Sequence, residues 1–292
     1  MKKYFFYLVL MALTMGISCK CNQTDGSSGE NDSLTNVNAE KDMNRMLISI
    51  PTPLETALFM KQFNIKFDPI ILNKVENAGK YTTAKERSLI LGIYLADLCY
   101  SSVFDNHQAT LSYFNVVRKL IEDLGVNQNF DKKMIEEIES KIQDKEFVYQ
   151  TISSKILTIS SSLEGSQKLL GVNIAYGGWI EVLNIFATQI KGKDNQDLAL
   201  AFAEQKNALN GIMGMYKEFE NNLDAKSEIE KLSRLKSLFD KLPSASNELQ
   251  MADTNQRQNS VIVPVEVPKI KAEELLPIID EINRMRAEIV RI

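Results

Sequence analysis

Seven residues, Leu198, Phe202, Gln205, Leu209, Ile212, Tyr216 and Phe219, step along the chain by four and by three. That alternation lines side chains along one stripe of an α-helix, because a turn takes 3.6 residues. The same period returns in Phe114, Val117, Ile121 and Leu124, and again in Ile152, Ile156, Ile159 and Leu163. It recurs in Ile229, Leu232, Leu235, Phe239 and Leu242, and finally in Leu275, Ile278, Ile282, Met285, Ile289 and Ile292. A half-buried sheet needs a period of two, so this patterning leaves little chain for one. The spacing predicts an all-α protein. Short connections between successive helices predict an antiparallel up-and-down helical bundle with an appended C-terminal helix.

Punctuation places the elements. Thr52-Pro53-Leu54-Glu55 joins an N-cap, a proline at the first helical position and a capping-box acid, opening a helix to about residue 64. Asp68-Pro69 starts a short helical turn. Further helices are expected over about 83–104, 106–124 (closed by Gly125), 131–143, 145–163, 166–190, 195–222 and 225–242, the last stopped by Pro243. The bundle is therefore placed at 49–242. Residues 243–262 are polar and read as a linker. VIVPVEVP has strand-like composition, but its prolines confine it to an edge or an extended segment. Residues 263–292 hold that segment and the C-terminal helix, which is expected to begin near Glu273 because Pro277 fits only a first turn.

The stripe of that last helix requires cover. A groove on the chain's own bundle and a partner's helix, including a second copy, would both serve. Docking within one chain is favoured, since it does not depend on concentration.

The helix expected over 166–190 is apolar nearly all round, and its length would suit a membrane span. Asn173, Glu181 and Asn184 argue against that, because a mid-span acid costs about 3 kcal/mol. A helix surrounded by other helices explains the same composition. Gly171, Gly177 and Gly178 would let neighbours approach closely, or would mark a bend.

The chain opens MKKYFFYLVLMALTMGISCKCNQTDGSSGENDS. Lys2 and Lys3 precede an apolar run from Tyr4 to Ile17, which as a helix covers ~21 Å at ~1.5 Å per residue. The hydrocarbon core is ~30 Å thick, so the run reads as a signal-peptide core, residues 1–18, instead of a span. Gly16-Ile17-Ser18-Cys19 resembles the lipobox of bacterial lipoproteins, with Gly16 standing where that family usually has Leu. The resemblance implies that Cys19 becomes an acylated N-terminus; ordinary secretion is the competing reading. Several acyl chains would hold the protein to a bilayer durably, since each buried CH₂ adds ~0.8 kcal/mol. Residues 19–48 are polar and aperiodic, a flexible tether with a reach of ~30 Å. Lys20 lacks the acidic character that commonly signals inner-membrane retention in such families, which favours the outer membrane, on its periplasmic or cell-surface face.

Losing residues 1–18 takes Lys2 and Lys3 and no acid, moving the formal charge from −4 to −6. No basic block interrupts that balance, so a nucleic-acid partner is not expected. With three cysteines, one of them Cys19, no structural disulfide is expected. The single histidine, His107, excludes multi-histidine metal sites and reads as a solvated or capping residue. No phosphate loop, nucleophile elbow or strand–helix alternation occurs. No cofactor, metal site or catalytic residue is therefore assigned.

Two helices carry polar groups on apolar surfaces. Tyr94, Asp97 and Ser101 share one face of the first, and Asn173, Gly177, Glu181, Asn184 and Thr188 share one face of the second, flanked by Tyr176 and Trp179. If the helices pack face to face, Asp97 and Glu181 meet among Tyr94, Tyr176, Trp179 and Asn184. Such a place suits a cation, an amine or a shared proton. The alternative is structural: buried groups satisfied by tyrosine hydroxyls or backbone amides. The segments LGIYLADLCYSSVF and GVNIAYGGWIEVLNIFATQI are similar to stretches of all-helical envelope lipoproteins of Gram-negative bacteria. That resemblance implies an envelope location and no known activity. Three functional readings stand beside it: a non-enzymatic binding or scaffold module with an envelope protein as its partner, a small-ligand or cation receptor at Asp97 and Glu181, and, as a distant third, a hydrolase.

Overall fold

The computed structural model describes residues 50–63, 65–126, 132–144, 146–148, 150–151, 167–191, 195–243 and 269–291. The signal peptide, Cys19 and its tether, the Ile152–Leu163 stripe, the linker after Pro243 and VIVPVEVP lie outside the described residues. Among those described, every regular element is helical. The protein is all-α.

Helix α1, Pro53–Gln62, starts on the expected capping box: Thr52 Oγ1 accepts the Glu55 amide, and Glu55 accepts the Thr52 amide at 2.8 Å. Two 3-10 turns follow, Pro69–Ile71 and Val75–Lys80. The second was not expected, since VENAGK carries no helical stripe. Helix α2, Ala84–Val103, repeats the capping box with Thr83 and Glu86. The two amides that Glu86 accepts hold its carboxyl below the usual carboxylate range. Helix α3, His107–Asp123, is capped by Asn106 and closes at Gly125 with φ +69°, the left-handed conformation that glycine adopts at least cost. Helix α4 is Lys132–Ser140.

Helix α5, Lys168–Ile190, is the central element. By length and composition it is the one described helix able to cross a membrane, and 83% of its apolar window is buried within the body. Its main neighbour is α2, far away in sequence. The two cross backbone to backbone: a Cβ added to Gly177 would sit 2.0 Å from the Leu89 carbonyl oxygen, and one on Gly92 would sit 2.1 Å from that of Ile174. Close approach, not a bend, is thus what Gly177 provides.

The run expected as one helix over 195–222 is two. Helix α6, Gln196–Ala203, and helix α7, Gln205–Lys217, meet at Glu204. There the Asn207 amide bonds the Glu204 carbonyl three residues back, so the backbone tightens locally. The seam survives the break, because Leu198, Phe202, Gln205, Leu209, Ile212 and Tyr216 all stay buried. Helix α8, Leu223–Phe239, follows. Rings run from α1 through α5 and α6 to α8: Phe59–Phe186, Phe186–Phe202 and Phe202–Phe239, with centroids 6.2, 5.6 and 6.0 Å apart.

Helix α9, Ala272–Val290, packs on α5 and α8 with Leu275, Ile278, Ile279, Ile282 and Met285 buried. It begins one residue before the expected Glu273, and Pro277 sits in its second turn. Its approach is fixed by Gln196 of α6, whose side-chain amide donates to the Ile270 carbonyl at 2.9 Å and accepts the Ile270 amide at 3.0 Å.

Candidate functional site

The α2–α5 crossing determines which side chains can meet. Asp97 lies five residues past Gly92, and Glu181 four past Gly177, so both carboxyls flank the contact. The two are fully buried and within hydrogen-bonding reach of each other. The face-to-face packing that the sequence left conditional is thus present.

Each acid has its own set of partners. Glu181 receives a two-pronged guanidinium from Arg286 of α9: Nε donates to Oε2 at 2.5 Å and Nη2 to Oε1 at 2.8 Å. Arg286 Nη2 also donates to the Ile71 carbonyl at 3.2 Å, tying in the first 3-10 turn. Oδ2 of Asp97 accepts the backbone amide of Asn73 at 3.1 Å. Its Oδ1 has no donor among the described residues. Burial, and then the charge of Glu181, push the Asp97 carboxyl well above its ordinary range, against the opposing pull of Arg286 and the Asn73 amide.

The segment from Leu72 to Tyr81 closes the site. Tyr94 Oη donates to the Lys74 carbonyl at 2.8 Å and Tyr113 Oη to that of Asn73 at 3.1 Å. The Asn73 side chain donates to Tyr81 Oη at 3.4 Å and accepts from Asn77 Nδ2 at 3.2 Å. Burial raises Tyr81, Tyr94 and Tyr113 above the usual phenol range, so all three act as neutral hydroxyls.

Of the residues singled out by sequence, Tyr94, Asp97 and Glu181 come together; Tyr176 and Trp179 do not join them. Successive residues turn about 100° around a helix, so Trp179 points roughly 200° from Glu181. Its Nε1 donates to Gln205 Oε1 at 3.3 Å, which explains the one polar residue in the α6–α7 seam. Tyr176 packs edge-on against Tyr216. Tyr216 Oη in turn donates to Asn173 Oδ1 at 2.8 Å, and Asn173 Nδ2 to Ser88 Oγ at 3.1 Å. Asn184 is buried, and its carbonyl accepts the Thr188 hydroxyl at 2.9 Å. His107 is exposed at the start of α3, and Cys99 is a buried free thiol pushed up to about 12 by its surroundings.

Sequence reasoning missed Asn73, Tyr81, Tyr113 and above all Arg286. A signal for Arg286 was present. Leu275, Ile279, Ile282 and Arg286 step by four, three and four, a second apolar line that ends in a cation.

Chemically the arrangement is two carboxyls against one guanidinium, lined by neutral hydroxyls. No group of three or more metal-ligating side chains occurs among the described residues. Comparison with protein-family models, characterised proteins and solved structures returned no match, so the site is read from its own geometry.

Proposed function

We propose that the protein is a lipid-anchored component of a bacterial cell envelope that works as a non-enzymatic binding or scaffold module. In this reading Cys19 carries the acyl chains, residues 19–48 form the tether, and the helical body is displayed at the outer membrane for an envelope protein partner. The observation that carries the non-enzymatic part is the occupancy of the acids. Arg286 engages both oxygens of Glu181, and the Asn73 amide engages Asp97. Side chains of the types that serve catalysis are here used as ties between α2, α5, α9 and the segment before α2. The lipobox-like GISC supports the anchor.

Metabolic labelling with a fatty-acid analogue tests the anchor. The wild-type chain should take up label and fractionate with membranes, and Cys19→Ala should lose both. A Cys19→Ala chain that stays labelled and membrane-bound refutes it.

A second reading, a small-ligand or cation receptor at the same acids, is favoured by the donorless Asp97 Oδ1. A thermal-shift screen against divalent cations and polyamines distinguishes it. A stabilising ligand whose effect disappears in Asp97→Asn would replace the first reading with the second.

A further inference from the structure

Two carboxyls and one guanidinium do not balance. Glu181 and Arg286 neutralise each other through two parallel hydrogen bonds, which leaves Asp97 as a second acid, itself fully buried. Its Oδ2 is occupied by the Asn73 amide. Its Oδ1 faces no donor among the described residues. The nearby hydroxyls do not supply one: Tyr94 and Tyr113, from α2 and α3, each give their proton to a backbone carbonyl, and Tyr81, which accepts from Asn73, makes no hydrogen bond to Asp97. A buried negative charge without a donor is costly, whereas a neutral carboxylic acid can itself donate. The acceptor in reach is Glu181.

We propose that Asp97 holds a proton and donates it to Glu181, and that this buried proton makes the stability of the helical body depend on pH. The proton makes the three-residue cluster neutral overall, and it lets α9 cover the two acids without burying an unpaired charge.

The groups facing Asp97 set the direction. Glu181 from α5 opposes ionisation. Arg286 from α9 and the Asn73 amide favour it. Tyr94, Tyr113 and Tyr81 are neutral, and Glu76 is exposed at the edge. Burial together with Glu181 outweighs Arg286, so the folded chain binds the proton more tightly than the unfolded chain, whose solvated carboxyl has an ordinary value of ~3.9. The folded chain therefore holds more protons than the unfolded one at any pH between those two values. The contribution of Asp97 to stability is complete below ~3.9 and declines as pH rises towards its folded value.

Asp97→Asn separates this from an ordinary buried acid. The asparagine oxygen can still accept the Asn73 amide, and its NH₂ can donate to Glu181 where the proton stood. Denaturant unfolding of the full chain is followed from pH 5 to pH 9. In the wild type, the unfolding equilibrium constant should rise at least tenfold over that range. In Asp97→Asn that rise should be absent. A flat wild-type profile overturns the proposal, and so does an Asp97→Asn chain that keeps the wild-type rise. One measurement needs no variant: infrared difference spectra of the wild type with isotope-labelled aspartate. A protonated carboxylic-acid band at neutral pH supports the proposal, and its absence overturns it.

Discussion

Helices α5 and α9 both lie against the body, but they are held in different ways. At its crossing with α2, α5 is held where side chains are missing. Gly92, Gly177 and Gly178 bring two backbones into contact, and almost every residue around its circumference is buried. Helix α9 is held on one face only, by an apolar stripe with a buried ion pair towards its far end and exposed pairs such as Arg234–Glu281 along its flank. The first contact works by dispersion and tolerates no added atoms. The second works by charge complementarity, where removing one partner is worse than never having had the pair. A protein can thus carry one interface that is rigid by geometry and another that is held by a buried ion pair.

Substitutions can break this contrast. The largest effect is expected for Arg286→Ala, which leaves Glu181 buried and unpaired. The loss is about 3–5 kcal/mol in denaturant unfolding, concentrated in α9. A loss under about 1 kcal/mol would show that the pair does not hold the helix. Next is Gly177→Ala, whose Cβ would sit 2.0 Å from a backbone oxygen that no rotamer change can move. Separating α2 from α5 should cost about 3 kcal/mol, the upper end of overpacking, and should spread over the whole body. The smallest effect belongs to Arg234→Ala. Its side chain is 54% exposed and 3.7 Å from Glu281, so stability should move by less than about 0.5 kcal/mol and less still in high salt. Calorimetry on the three variants orders them, and an inversion of the first and last would undo the distinction drawn between buried and exposed ties.

The helices themselves were legible in the chain because their signals are local. Thr52 with Glu55 fixes one start, Asn106 another, and Gly125 a stop, each within a turn of the boundary it sets. The meeting of Asp97 with Glu181 was legible only as a conditional, since periodicity gives the face of a helix but not the neighbour that face meets. Tyr176 and Trp179 were grouped with the acids by closeness in sequence, and the turn of the helix separates them. Arg286 was hidden because an arginine near the end of a charged helix ordinarily faces solvent. Its burial depends on a glutamate 105 residues earlier. The break at Glu204 left no mark in the seam, because tightening one turn keeps the same residues inward.

The amide of Gln196 bears on where the last helix begins. By gripping both backbone groups of Ile270, a side chain on α6 does for the incoming peptide what a neighbouring strand would do. The starting point of α9 is therefore measured from a distant helix and not counted forward from Pro243. What sets the register of the last helix is thus a hydrogen-bonded address on α6, and the side chain that writes it lies outside the helix it positions.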